Sequence, residues 1–265
     1  MSIFEKMLAD KRWLYRPWLP FLKAVEGDAF SRYELLPPAS DLACGDGTFA
    51  ISTCDRKINV GLDLDMESLV RANGKYHSII QTDATRLPFK EKTFQTIISS
   101  CAVEHIPNLK YLLLEIYEVL KPGGKFIFSV PSVNFGDMLL KTRLLRALGL
   151  EKQADEYVKD KNCRSVHIHL YELKEWEAIL TSCNFKLLSH EYCLSNKVML
   201  LWSLMTSFVF KLFFLPFRIV RDYDIKPSDN LLRVILKKLF EGIIARENNK
   251  KLLSGGYLIL VVTRE

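Results

Sequence analysis

The chain has no Cys-x-x-Cys pair. Its six cysteines, Cys44, Cys54, Cys101, Cys163, Cys183 and Cys193, stand at irregular spacing, which excludes the paired-thiol pattern of zinc ribbons and dithiol redox centres. Reduced thiols acting as small apolar residues in a cytoplasmic compartment are expected. The first residues carry Glu5, Asp10 and Lys11 where a secretory signal needs an apolar stretch, so no export segment is read. His167-Ile168-His169 offers two metal-type ligands, but no third or fourth stands at recognisable spacing, so the metal expectation is none. Long uncharged stretches are missing with one exception, the thirteen residues from Val198 to Phe210, followed after Lys211 by the six apolar residues 212–217. A segment running from Val198 to Phe217 would just reach across the ~30 Å hydrocarbon layer. A single crossing, however, would leave the apolar run Gly256 to Thr263 on the wrong side of a membrane from its own sheet. The one candidate for a return crossing, Leu231 to Ile244, carries Arg233, Lys237, Lys238 and Glu241, so no spanning segment is read.

What is present suffices for a large core: 49% of the 265 residues are hydrophobic, which fits one elaborated α/β domain. The net charge of +6 is unevenly placed, with eleven Lys or Arg against six Asp or Glu between Glu191 and Leu253. A basic segment of this kind suits either nucleic acid or an anionic membrane. Here the basic residues are interleaved with Leu and Ile and not with an exposed aromatic platform, which disfavours nucleic acid.

Hydrophobic patterning alternates between strands and helices: strand Ala39 to Ala43, helix near Thr48 to Thr53, strand Ile58 to Leu62, helix Met66 to Asn73, and strand Ser78 to Gln81. Strand Thr96 to Ser100, helix Leu109 to Leu120 and strand Lys125 to Val130 follow. Leu120-Lys121-Pro122-Gly123-Gly124 reads as a helix stop and a turn. A helix over Tyr171 to Cys183, a strand from Phe185 to Leu188 and a buried strand over Gly256 to Thr263 complete the series. Strands separated by such helices imply a parallel sheet covered on both faces.

Asp41-Leu42-Ala43-Cys44-Gly45-Asp46-Gly47 reads as a strand end turning through glycines into a helix. Gly45 and Gly47 permit positive φ and close backbone approach, so a ligand can lie against main-chain N–H groups at the helix start. Val60-Gly61-Leu62-Asp63 ends in a carboxylate 18 residues after Gly45, close to the ~20-residue spacing at which an acid grips ribose hydroxyls. Together they predict a nucleoside cofactor. Phe49-Ala50 replaces the third glycine of a dinucleotide site and an acid opens the motif, which points to a nucleoside of another kind.

At these residues the chain resembles the class I S-adenosylmethionine-dependent methyltransferases, in particular small-molecule enzymes with the ubiquinone-methyltransferase type of core. Four blocks carry the resemblance: Asp41 to Gly47; Gly61 to Asp65; Thr82-Asp83-Ala84 with Leu87-Pro88-Phe89; and Phe94 to Pro107 with Leu120 to Gly124. It covers roughly residues 38–131, and more loosely 165–192 and 255–265. It implies a Rossmann-like, seven-stranded, mostly parallel sheet with helices on both faces. The last two strands would form a hairpin, interrupted here by a helical insertion. The expected division is an N-terminal helical lead-in over 1–37, a core over 38–193 and 254–265, and the insertion over 194–253.

The cofactor implied is S-adenosyl-L-methionine. Asp63 would accept both ribose hydroxyls, Asp83 would meet the adenine amino group, and Leu64 and Ala84 would sandwich the ring. Asp41, with backbone groups of Ala43, Cys44, Gly45 and Gly47, would hold the methionine end, while Cys101 and Ala102 line the cofactor after the fourth strand. His105 sits where many relatives carry histidine and can serve as a base or hold its loop. His167 and His169 precede a helix that often delivers an acceptor-facing residue, and alternation puts both on one face if the run is extended.

The insertion joins an apolar stripe of Leu232, Ile235, Leu236, Leu239, Ile243 and Ile244 to basic residues, with Trp202, four phenylalanines from Phe208 to Phe214, Lys197, Arg218 and Arg221 nearby. That composition suits a helix lying in a bilayer interface. A greasy, basic lid implies methyl transfer to an oxygen or carbon nucleophile of an apolar small molecule or lipid-linked acceptor, on the inner face of an anionic membrane. The alternatives are a soluble small-molecule methyltransferase whose insertion is a homodimer interface, and a catalytically silent methyltransferase-like docking subunit.

Overall fold

The computed structural model describes residues 1–14, 16–207, 229–248 and 251–265. Tyr15 and the segment 208–228, with the phenylalanines after Trp202 and the basic Arg218 and Arg221 of the expected patch, lie outside the described residues.

Three helices, α1 (Ile3–Met7), α2 (Lys11–Leu14) and α3 (Trp18–Phe30), precede the sheet. Then come β1 (Ala39–Leu42), α4 (Thr48–Thr53), β2 (Val60–Asp63), α5 (Met66–Ala72), β3 (Ser78–Gln81) and β4 (Phe94–Ser100). A 3₁₀ turn at Val103–His105 leads to α6 (Leu109–Val119), β5 (Leu120–Pro131), α7 (Leu140–Ala147), α8 (Glu151–Arg164), α9 (Leu173–Ser182) and β6 (Phe185–Cys193). After α10 (Asn196–Thr206) and α11 (Asp229–Asn248), β7 (Tyr257–Arg264) closes the chain. One seven-stranded sheet runs β3-β2-β1-β4-β5-β7-β6, parallel except for β7, which pairs antiparallel with both β5 and β6. This is the expected fold class. Cys193 faces Tyr257 across the β6–β7 pair, so the two strands still meet on either side of the insertion, with one register shift between Leu187 and Ser189.

Burial on both faces explains why β7 reads as a continuous apolar run. Tyr257, Ile259 and Val261 enter the core under α1, α3 and α10, while Leu258, Leu260 and Val262 enter the opposite core with Phe128 and Trp176. The helix stop after α6 has a partner that sequence does not show: the Arg264 guanidinium Nη1 donates to the Tyr117, Glu118 and Leu120 carbonyls at 2.6–2.9 Å. Tyr117 and Glu118 lie in the last turn of α6, where carbonyls lack intrahelical donors. Strand β5 begins directly at Leu120, and the Pro122-Gly123-Gly124 turn is an irregularity within its start, with Gly123 at φ +72°.

The interfacial stripe expected on α11 divides in the structure. Leu236 and Ile244 are buried, together with Phe240, whose ring meets Phe4 at 5.6 Å and Phe21 at 4.9 Å. Ile235 and Leu239 remain exposed beside Val234. The helix therefore spends its most apolar face on α1 and α3, because three apolar side chains one turn apart gain more against a preformed hydrophobic surface than alone in water. Among the described residues no helix is long and apolar enough to cross a membrane.

Candidate active site

Parallel register brings the carboxyl ends of β1, β2 and β4 to one edge, where the strand order reverses between β1 and β4. Crevices at such switch points are where open α/β sheets hold ligands. The β1 exit turns sharply, with positive φ at Ala43 (+56°), Gly45 (+55°) and Gly47 (+73°). Ala43 carries this strain without being glycine. Open space surrounds the place where a Gly45 Cβ would stand, whereas a Cβ on Gly47 would meet the Tyr76 ring at 2.8 Å. Asp46 accepts from Thr48 N at 3.0 Å at the start of α4 and from Arg12 Nη2 at 2.8 Å, tying the N-terminal lead-in to the loop. The Cys44 thiol is buried, and burial pushes its pKa up, so it packs and does not react.

Asp63 is held by two backbone donors, Gly45 N to Oδ2 at 2.7 Å and Asp65 N to Oδ1 at 2.8 Å. Each oxygen keeps a further lone pair for a ligand hydroxyl. The helix cap that could have claimed Asp63 is made by Asp65, which accepts from Glu67 N and Ser68 N. Farther along the edge Leu64 is 68% exposed, Ala84 is half-buried, and Asp83 is exposed with Oδ1 accepting from Thr85 N and Oγ1, both at 2.8 Å. Those bonds hold the Asp83 carboxyl below its usual range. An exposed apolar residue after β2, with an ionised acid after the neighbouring β3, suits a flat ring with an amino group.

The other end of the crevice is a small pocket. A cavity of about 180 Å³ is lined by Trp13, Lys23, Asp41, Gly45, Phe49 and Ser100 among others. Asp41 is 3% exposed; burial pushes its pKa up to about 7, against the Tyr76 hydroxyl, which donates to it at 2.6 Å. Lys23 Nζ donates to Glu26 Oε2 at 2.9 Å and to Ser100 Oγ at 2.8 Å. Burial opposes its charge, and the surrounding Cys101, Glu26 and Glu104 together outweigh burial, so the ammonium is held above its ordinary pKa. Glu26 is fully buried and also receives the Ser100 and Ser129 hydroxyls at 2.6 and 2.5 Å. A carboxyl and an ammonium therefore face one small cavity, an arrangement matched to an amino-acid tail. With the Asp63 oxygens and the open face of Gly45, these residues fit S-adenosylmethionine.

Lys23, Glu26 and Tyr76 have no motif in the sequence; only the basic, aromatic character of residues 1–36 hints at the first. Cys101 takes φ +51° and its Sγ lies 3.6 Å from Glu26 Oε1 and 3.5 Å from Ser129 Oγ. Its thiol thus belongs to the polar cluster beneath the crevice and is absent from the lining of the 180 Å³ cavity, as is Ala102, the residue before the 3₁₀ turn.

The three histidines separate. His105 is 40% exposed at its side chain, with Nδ1 donating to the Val166 carbonyl at 2.9 Å and Nε2 lying 3.6 Å from Glu104 Oε1. His167 stacks on His105 at 5.9 Å and meets Phe135 edge-on at 5.5 Å. Burial, with the His105 and Lys161 charges, lowers its pKa to about 4, so it is neutral at physiological pH. His169 is 7% exposed and engaged at both nitrogens, by the Ile106 carbonyl at 2.8 Å and the Tyr171 hydroxyl at 3.2 Å. It braces the loop and offers no free nitrogen to an acceptor. His167 joins His105, and His169 joins Tyr171. Sequence does not single out Glu104, yet its carbonyl receives Ile168 N and His169 N, and burial pushes its carboxyl up to about 8.

Residues 40–128 match the family described as "Methyltransferase domain". The chain is 33% identical over 100 residues to the malonyl-[acyl-carrier protein] O-methyltransferase of Marinomonas sp. strain MWYL1, covering 35% of this chain and 37% of that protein. It is 27% identical over 125 residues to the ubiquinone/menaquinone biosynthesis C-methyltransferase UbiE of Bartonella quintana, covering 43% and 47%. The chain thus spans less than half the length of these curated relatives. A solved SAM-dependent methyltransferase from Thermotoga maritima shares the fold at TM-score 0.54 and 16% identity, over 99% of this chain and 98% of that one. With sheet order, glycine turn and matched domain in agreement, residues 40–128 carry a methyltransferase domain of the class I S-adenosylmethionine-dependent type.

Proposed function

We propose that the chain transfers a methyl group to an oxygen or carbon nucleophile of an apolar small molecule or lipid-linked acceptor. The observation that carries this reading is that Asp41 and Lys23 line one cavity together with Gly45, whose N–H donates to Asp63. Bound there, S-adenosylmethionine supplies an electrophilic methyl on a cationic sulfur that leaves neutral. Asp63 accepts the ribose hydroxyls, Asp83 and Leu64 receive the adenine, and Asp41 and Lys23 fix the amino-acid end. Holding both reactants in line accounts for much of the rate, so few catalytic side chains are needed. The proton lost by a hydroxyl acceptor goes to His105 Nε2, the freer of the two stacked histidines. Both named relatives act, by their descriptions, on acyl-carrier or quinone acceptors, which supports an acceptor with an apolar part.

Peripheral membrane contact is the finer part of this proposal, supported by Val234, Ile235 and Leu239 exposed beside Lys238 on α11. A second reading, a soluble enzyme whose insertion is a protein-facing cap or homodimer interface, is favoured by the packing of Phe240 on Phe4 and Phe21. The intact set Asp41, Gly45, Gly47, Asp63 and Asp83 speaks against a silent docking subunit. Calorimetric titration with S-adenosylmethionine and its demethylated product, with and without anionic liposomes, tests all three. Micromolar binding supports the enzyme; no binding in either condition favours the docking subunit. Flotation with liposomes that survives Ile235→Asp with Leu239→Asp overturns the membrane contact.

A further inference from the structure

The two helices that open the chain are too short to hold themselves. Helix α1 has five residues and α2 four, against the roughly twelve to fifteen at which an isolated helix in water is even marginal. Their position is therefore set by what they pack against. One such partner is α11, twenty residues long and drawn from near the other end of the sequence. Lys237, Phe240, Glu241 and Ile244 recur at helical spacing along one side of it. Phe240 is buried, with its ring edge-on to Phe4 of α1 at 5.6 Å and tilted against Phe21 of α3 at 4.9 Å. Lys237 Nζ donates to Glu5 Oε2 at 2.8 Å, and Arg233 Nη2 donates to the carbonyl of Leu8, the C-cap of α1, at 3.2 Å. At the other end Glu241 Oε1 accepts from the hydroxyl of Ser2, the N-cap. One helix of the insertion thus holds α1 from cap to cap.

The same lead-in builds one wall of the cofactor cavity. Met7, Trp13 and Lys23, one from each of α1, α2 and α3, line it together with Asp41 and Gly45. Met7 stands one turn after Phe4, and Lys23 two residues after Phe21. The residues gripped by Phe240 and two of those lining the cavity therefore share the same helices. We propose that Phe240 and Lys237 are positioning residues for the cofactor: through Phe4, Phe21 and Glu5 they fix the wall that presents Met7, Trp13 and Lys23 to the amino-acid tail. The insertion acts on the methyl donor without touching it.

This inference rests on the reading of the cavity as the methionine end of an S-adenosylmethionine site, and two ligands keep the failures apart. The full chain and its variants are titrated calorimetrically, each well below its melting temperature, with the demethylated cofactor and with 5′-methylthioadenosine. The second ligand keeps the nucleoside and the sulfur and lacks the amino-acid tail. Phe240→Ala is expected to weaken the demethylated cofactor roughly tenfold, within the usual range of coupling between separated groups, and 5′-methylthioadenosine by less than about twofold. Phe240→Leu, which refills much of the space, should recover most of that loss. Lys237→Glu sets a carboxylate against Glu5 and should weaken the demethylated cofactor about twofold to fivefold, and adding Glu5→Lys should restore it. Equal losses for both ligands overturn the proposal, because general loosening of the fold does not distinguish tail from nucleoside. So does unchanged affinity in Phe240→Ala and Lys237→Glu with the parent still binding. A parent that binds neither ligand, or both equally well, overturns the methionine-end reading and the positioning role with it. Where Phe240→Ala does not fold, Lys237→Glu and its charge-swapped double variant carry the same comparison, and failure of the swap to restore binding overturns the proposal.

Discussion

The Tyr76 hydroxyl donates to Asp41 Oδ2 at 2.6 Å, and the same ring fills the space that a side chain on Gly61 or Gly47 would need. One residue outside every recognised motif thus sets the charge behaviour of the buried acid and accounts for two glycines inside motifs. Gly61 lies in β2 opposite Asp41 in β1, so the ring is clamped where the two strands leave the sheet.

Gly61→Ala follows directly. Its Cβ would stand 2.7 Å from Tyr76 Cδ2, closer than packed carbons approach, so the ring must move away from Asp41. Overpacking of this kind costs about 1–3 kcal/mol. The expected result is a lower melting temperature together with weaker cofactor binding, measured by thermal unfolding and calorimetry. Loss of stability with unchanged cofactor affinity would show that Tyr76 does not reach the site.

The pH dependence rests on Asp41, whose pKa burial raises to about 7. A buried acid with a raised pKa holds its proton in the folded state over a window where the unfolded chain has lost it. Stability of the cofactor-free protein therefore falls as pH rises from about 4 through about 7. Cofactor affinity should move the other way, because only the ionised acid holds an ammonium. Titrations across that window should show affinity rising through about pH 7, and Asp41→Asn should raise stability at pH 8 while abolishing the affinity slope. A flat affinity profile in the parent protein would remove Asp41 from the methionine end.

Tyr76→Phe keeps the ring and removes the donor that lowers the Asp41 pKa. The affinity midpoint should move to higher pH, and binding at neutral pH should weaken up to roughly tenfold for every whole pH unit the midpoint travels. The cofactor-free protein should also lose about 1–3 kcal/mol, because the buried Asp41 carboxyl is left without its donor.

Asp63→Ala removes the acceptor of Gly45 N and Asp65 N as well as the ribose ligand. Cofactor affinity should fall by roughly a hundredfold, as expected for charge-assisted bonds lost with the loop they hold. Asp63→Asn, which can still accept from one backbone donor, should lose less. Unchanged affinity in Asp63→Ala would displace the nucleoside from this edge.

Most of the sheet is legible from sequence because its strands are buried on both faces and punctuated by Gly and Pro, as in β7 and the β1 exit. Asp63 is legible because strand ends fix a carboxylate at a set spacing from the glycine turn. Lys23, Glu26 and Tyr76 are not, since their roles depend on α3 and the residues before β3 folding over the crevice, a long-range event with no local signature. The α11 stripe misleads for the same reason: amphipathic periodicity states that a face will be covered, and only tertiary packing states by what.

His105 and His169 separate chemistry from bracing. His169 is buried with both nitrogens bonded, so His169→Ala should cost about 1–3 kcal/mol through two orphaned partners, Ile106 O and Tyr171 Oη. For a chain of this size that is a drop of roughly 2–12 °C in melting temperature. His105 lies on the surface, bonded to Val166 O and with Nε2 3.6 Å from Glu104 Oε1, so His105→Ala should lower melting less than His169→Ala. If it takes the proton from a hydroxyl acceptor, turnover should drop roughly a hundredfold or more with KM little altered. His105→Gln, which can keep the bond to Val166 but cannot accept a proton, should be as slow as alanine if His105 is the base. Recovery of turnover in the glutamine variant would assign His105 to loop positioning and leave the proton to solvent.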